Sequence, residues 1–452
     1  MFRPVRLIAP AMVFVSFSSP LLAASAEEIW AEWQDLASRT GQTITADSQD
    51  YSGGTLFLKG VATTAEFQGG SSVVDVGDVR LVETGGGNVS IELPQQMVVT
   101  SNTEAEGEKV AINMTISHDG LSIVASGTPE ERKYAYNGSS LLVRVGEIVT
   151  DGETIPMDLT ITAQDFVSDY IIKSEEAVSI TSDSTVGAVA FALDFQDPDT
   201  GETGKLDYAA KDLKITTDGS VNTYMTGDPA AMLTGEVPNT LAITHGGPVY
   251  SLDVQGGPDA ATINGSSSGG QFDMSLGKEG VRYDVASTGV SFQMLAAEVP
   301  VPVEFSAQEM GGKITFPMLA GQEPQDIGIG VSLGGLAVSE TLWGMIDPQK
   351  ILPRDPANLM LDITGTATLV KDLFAIENPE EVPGELNSLN VNNVNLSLAG
   401  AELNGSGAFE VDNTSTGPIP GAPNLIGKLN LSAEGVNGLI DKLAAAGLVS
   451  NE

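Results

Sequence analysis

Very few residues in this chain have types and spacings that could do chemistry. There are two histidines and no cysteine, which excludes thiolate nucleophiles, disulfides and thiolate metal sites. His118 precedes Asp119-Gly120 and His245 precedes Gly246-Gly247, so both read as turn-side surface residues, not as ligands or bases. No serine stands in a Gly-x-Ser-x-Gly elbow, and no phosphate loop or dinucleotide fingerprint is present. Carboxylates remain. Asp197, Asp199 and Glu202 gather in one oxygen-rich stretch of the kind calcium favours. The distal Glu of an EF-hand loop is missing and the flanks read as strands, so the expectation is a solvated hairpin tip. Arg354 is expected to pair with a carboxylate and pin a Pro-rich turn. The reading is of a non-enzymatic protein with no catalytic residue, no metal and no cofactor.

The elements that would position any site are strands. Met157, Leu159, Ile161 and Ala163 alternate with Asp158, Thr160 and Thr162. Val189, Phe191, Leu193 and Phe195 form another such row, as do Val110 to Ile116, Ile327 to Leu333 and Leu359 to Ile363. Alternate side chains of a strand point to opposite faces, so each row gives a sheet one apolar and one wet face. That pattern marks antiparallel sheet. The fold class expected is mainly β: a large curved antiparallel sheet, either an open groove or a folded-over sandwich, with a few short capping helices. If the groove is open, Leu159, Ile161, Phe191, Leu193 and Phe195 are the candidate lining.

Punctuation supports this. Asp119-Gly120, Asn137-Gly138, Asp151-Gly152, Asp218-Gly219 and Asn264-Gly265 are expected at turns, because tight hairpins demand positive φ. Around Asn392-Asn393 the alternation slips by one residue, which predicts a β-bulge. Three helices are expected: Glu27 to Ser38, a short one capped by Ser339 and stopped by Pro348, and one through Val436 to Leu443 that ends near Gly447. A fourth candidate covers Pro229 to Leu233.

Charge and leader address the compartment. The chain carries 21 basic and 60 acidic side chains, a balance of −39 that repels nucleic acid and anionic membrane surfaces. Arg3 and Arg6, the apolar run Leu7 to Leu22, and Ala24-Ser25-Ala26 together read as a secretory signal peptide over 1–26. No transmembrane segment is expected after its removal. Residues 27–452 are then one elongated β-rich body in the periplasm, whose best internal boundary between two lobes is 228–238.

The run from Leu342-Trp343-Gly344 through Asp347-Pro348 to Leu352-Pro353-Arg354-Asp355-Pro356 resembles a motif of the domain of unknown function family 2125. These are uncharacterised alphaproteobacterial envelope proteins. Leu398 to Gly407 and Gly438 to Leu443 are also similar to that family. More distantly, the repeated amphipathic strands resemble AsmA-type envelope proteins. This resemblance implies long curved sheets with an apolar groove and a part in lipid handling. Family members would continue past the last helix, and ending at Glu452 is expected to leave a sheet edge or groove end open. Two functions follow as expectations: a periplasmic carrier or binder of a lipid or other hydrophobic ligand, or a structural or assembly factor that binds envelope proteins without a small ligand.

Overall fold

The structure is a computed structural model. It describes residues 24–449 apart from 68, 106–107, 175–177, 198–199, 221–232, 236–237, 300, 377, 379–380 and 417–422. The leader up to residue 23 and most of the Pro229 to Leu233 helix candidate lie outside the described residues. The 228–238 boundary falls largely there too.

Helix α1 (Ala26–Arg39) opens the described chain. Ser25 caps it, its hydroxyl accepting from the Glu28 N–H while the Glu28 carboxylate accepts from the Ser25 N–H. There follow β1 (Gln42–Thr45), β2 (Ser48–Ser52), β3 (Thr55–Phe67), β4 (Gly70–Gly85), β5 (Asn88–Glu92), β6 (Gln96–Ala105), β7 (Glu108–Asp119), β8 (Ser122–Gly127) and β9 (Glu131–Thr150). The chain continues through β10 (Glu153–Ile155), β11 (Met157–Ser174), β12 (Val178–Gln196), β13 (Thr203–Ser220), β14 (Asn239–Gln255), β15 (Ala261–Ser266), β16 (Gly269–Gly277), β17 (Gly280–Ala296), β18 (Val303–Phe316) and β19 (Gln325–Val338). After α2 (Glu340–Ile346) come β20 (Ala357–Leu369), β21 (Gly384–Leu398), β22 (Ala401–Thr416), β23 (Pro423–Glu434) and α3 (Val436–Ala445). Among the described residues all 23 strands join one sheet, and every pairing is antiparallel. The mainly β class with short capping helices is therefore what the chain adopts.

The tight core sits at one end. Ile29 and Trp30 of α1 pack onto Leu58, Val79, Leu81, Val89 and Ile91 of the first strands. Arg132 of β9 is buried and makes a fork to Glu32 of α1 with bonds of 2.9 and 2.6 Å. Bidentate pairing of this kind fixes orientation as well as charge. Among the described residues no comparable buried cluster lies far from α1.

A crease crosses the sheet. Asp165 of β11 (φ 51°), Asp212 of β13 (φ 51°) and Gly289 of β17 (φ 59°) are left-handed. Residues 165, 187 and 212 fall opposite one another in the register. On the two sides of that line the alternation changes parity. In β12 the exposed positions are Asp183 and Thr185 before it, but Asp194 and Gln196 after it. A one-residue change of phase normally turns a strand's apolar set to the other face. Here each strand changes phase at the same line, so the apolar halves on both sides of the crease share one face.

Two sets of expectations meet this geometry differently. The bulge is present: Asp362 pairs with Asn393 and Ile363 with Val391, leaving Asn392 as the extra residue. Asp151-Gly152 does form the β9–β10 turn. Asn137-Gly138, Asp218-Gly219 and Asn264-Gly265, however, lie inside β9, β13 and β15. Asp119-Gly120 ends β7 without reversing the chain, since β7 and β8 both pair with β9. The cause is close approach. A Cβ on Gly138 would collide with the Phe166 ring, and one on Gly265 with the Tyr250 ring. Gly138 and Gly265 are thus seats for a neighbouring strand's aromatic side chain, whereas a Cβ on Gly219 would meet Asn239.

Gly265→Val is therefore expected to lower stability by about 1–3 kcal/mol through overpacking. Gly344→Ala, where nothing lies within 4 Å of the new methyl, should not. Urea midpoints of the two variants check this, and equal midpoints would contradict the seat.

Candidate functional site: an uncharged apolar sheet face

The inner face is built from cross-strand rows. Met157 stands opposite Phe195, Leu159 opposite Leu193, and Ile161 opposite Phe191. The five lining candidates are thus neighbours on one face. The Leu159 row runs back to Val145 and on through Leu206, Leu252 and Ile263. Directly opposed apolar pairs of this kind are the unit of sheet stabilisation. Beyond the crease a second band joins Phe272, Val285, Val331, Leu361, Val394 and Leu431, with Gly312 and Gly405 in the gaps. From β11 to β23 the bands span about 50 Å at ~4.8 Å per strand.

Composition of this face is unusual for so acidic a chain. Among the described residues of β11 to β23, no Asp, Glu, Lys or Arg falls in the inward rows. All the charges of these strands point outward, for example Asp158, Asp194, Asp207, Asp253, Lys313 and Asp362. Yet the face is not a filled core. Ile161 is 37% exposed, Val285 47% and Ile329 45%, while Leu58 beneath α1 is 1% exposed. Apolar groups left in water cost roughly 25 cal/mol per Å². Large exposed apolar surface of this sort is uncommon on a monomer and makes the face the candidate site.

Next to α1 the same face becomes polar. The Trp33 indole N–H donates to the Tyr134 hydroxyl at 3.1 Å, and Tyr136 meets Tyr170 edge-on at 5.4 Å. The Ser168 and Ser184 hydroxyls bond at 2.5 Å, and those of Ser182 and Thr217 at 2.7 Å. A cleft of about 410 Å³ between α1 and β9 is lined by Trp33, Arg39, Arg132, Tyr134 and Ile172 among others. Burial pushes Tyr134 up to about 12, partly offset by the Trp33 N–H bond, and burial does the same to Tyr136.

The other chemical candidates resolve simply. Both histidines lie inside strands, contrary to the surface-turn expectation. His118 pairs with Leu141 and its Nε2 meets the Pro94 carbonyl at 2.8 Å, and His245 pairs with Gly270. Both border the crease, which is why glycines follow them. The Asp197 carboxylate accepts from the Thr200 N–H at 2.7 Å in the turn between β12 and β13. Pro198 and Asp199 lie outside the described residues. Among the described residues no three acidic or histidine side chains gather as a metal site would need. Arg354 does pair: its guanidinium donates to Asp347 at 2.9 Å and stacks 4.4 Å over Trp343. Burial opposes the Asp347 charge, but the Ile351 and Leu352 N–H groups and Arg354 outweigh it and hold its pKa below the ordinary value. This knot is structural, closing the turn after α2.

No family model matches this chain, and no curated protein matches it. No helix among the described residues is long and apolar enough to cross a membrane.

The tyrosines give a pH prediction. A raised folded pKa means the neutral phenol is favoured, so its stabilisation is whole below the unfolded value of about 10 and is lost as pH rises through about 12. Alkaline titration of phenolate absorbance, with Tyr134→Phe and Tyr136→Phe as difference references, should place both groups late. Midpoints near the free value for both would contradict the packing of α1 on β9.

Proposed function

We propose that this chain is a non-enzymatic periplasmic envelope protein that binds or carries a lipid or another hydrophobic ligand on the inner face of its sheet. The observation that carries the reading is the uncharged, half-exposed double band from β11 to β23. An acyl chain needs nothing but apolar surface, and such a face in an otherwise acidic chain supplies it without any buried ion. The resemblance to AsmA-type envelope proteins points the same way. The acidic exterior supports solubility and argues against resting on anionic lipid surfaces. The leader supports export, and α1 with its buried cluster serves as the closed end of the apolar path.

The test is mass spectrometry of organic extracts of the protein purified gently from its native compartment. A stoichiometric lipid, absent from a control protein handled identically, is expected. Phe191→Asp or Leu193→Asp should remove it while the protein stays folded by circular dichroism. An empty extract from folded protein would overturn the reading, and would favour a structural factor that binds envelope proteins instead. Global unfolding of both variants would reassign these side chains to ordinary core.

A further inference from the structure

The two edges of the sheet are treated differently by the sequence. At the first edge β1 and β2 are short, Asp47 and Asp50 stand on or between them, and α1 packs beside β1. Short strands, acids and a covering helix are the usual protections of an edge. At the far edge β23 is twelve residues long and, among the described residues, pairs with β22 alone. Every residue from 425 to 434 is exposed, including Leu425, Ile426, Leu429 and Leu431. α3, which follows it, contacts β22, and no described strand pairs with the free side of β23.

We propose that β23 pairs with β23 of a second copy of this chain across a two-fold axis at Leu429. Antiparallel partners must share a face, so only registers that keep inward residues opposite inward residues are admissible. Centring on Leu429 overlaps the whole strand from Asn424 to Glu434. Inward, Leu429 then meets its own copy, Leu425 meets Ala433 and Gly427 meets Leu431. Outward, Lys428 meets Asn430, Ile426 meets Ser432 and Asn424 meets Glu434, with no like charges opposed. Centring one residue earlier would set Lys428 against Lys428. The isologous contact is the commonest kind of closed assembly. It continues the uncharged inner bands from one copy into the next, so the apolar path of each copy ends against that of its partner. The balance of −39 on each chain repels at long range, so association strengthens as salt shortens the screening length from about 30 Å at 0.01 M to about 8 Å at 0.15 M.

The absence of native cysteine makes the test direct. Leu429→Cys in the full chain, exposed to oxidised glutathione, is expected to give a covalent dimer, because paired strand positions lie about 4.5–5.5 Å apart at Cα and a disulfide accepts that span. Ile426→Cys on the same strand is as exposed, but its copy lies roughly 20 Å away in this register, so it should stay monomeric. Sedimentation equilibrium of the unaltered chain should show a dimer that strengthens with salt, and Leu429→Asp, which opposes two carboxylates at the axis, should be a monomer with unchanged circular dichroism. A monomer at every salt concentration, or equal cross-linking through both cysteines, would overturn the proposal. Either result leaves the ligand reading to its own test.

Discussion

Alternation along a β-strand is the constraint on which the rest of this structure depends. A strand as long as β12 or β13, with one apolar face, would present that face evenly along its length. Here the phase changes partway, at Asp165, Gly187 and Asp212, and the change is shared by neighbouring strands. Left-handed backbone at a non-glycine residue is uncommon, and Asp tolerates it better than most. Because the phase changes coincide, both halves of each strand offer apolar side chains to one side and the described charges of β11 to β23 to the other. Among the described residues this leaves one uncharged, half-exposed inner face, the surface on which the proposed ligand would lie.

Shielding is graded along the sheet. Under α1 the side chains are sealed by Ile29 and Trp30, and Glu32 is forked by Arg132. Past β14 the bands are half-covered, and at β23 they stand in water. The acidic exterior and the neutral interior are two outcomes of one period-two pattern, with Asp and Lys confined to the outward positions. The Asp347–Arg354–Trp343 knot plays a different part, tying the turn that leads from α2 into β20.

Much of this was legible in the sequence. The rows Met157 to Ala163 and Val189 to Phe195 were readable because period two is a local signal, whereas their opposition in space is visible only in the strand register. The Asn392 slip was readable for the same reason, as were the Ser339 cap and an Arg354 pairing. The crease was missed, although its mark is printed in the chain. The apolar row of β12 is even-numbered through Ile180 and Val186 and odd-numbered from Val189. Asn-Gly and Asp-Gly pairs within strands read locally as turns, because the neighbouring-strand group each glycine faces, Phe166, Tyr250 or Asn239, cannot be seen from local sequence. The histidines were misplaced by the same glycines. The Glu32–Arg132 fork joins residues a hundred positions apart, which no local pattern reveals.

The central claim is that the second band is an open face and not a filled core. The most direct measurement is the rate at which a bulky, polar maleimide modifies a single cysteine placed there, in a chain that has none of its own. Val331→Cys should react in the folded protein within about tenfold of its rate in urea, while Leu58→Cys beneath α1 should react only on unfolding. Protection of Val331→Cys as strong as that of Leu58→Cys, in protein shown to be free of lipid, would mean the sheet fills its own interior and would contradict this account.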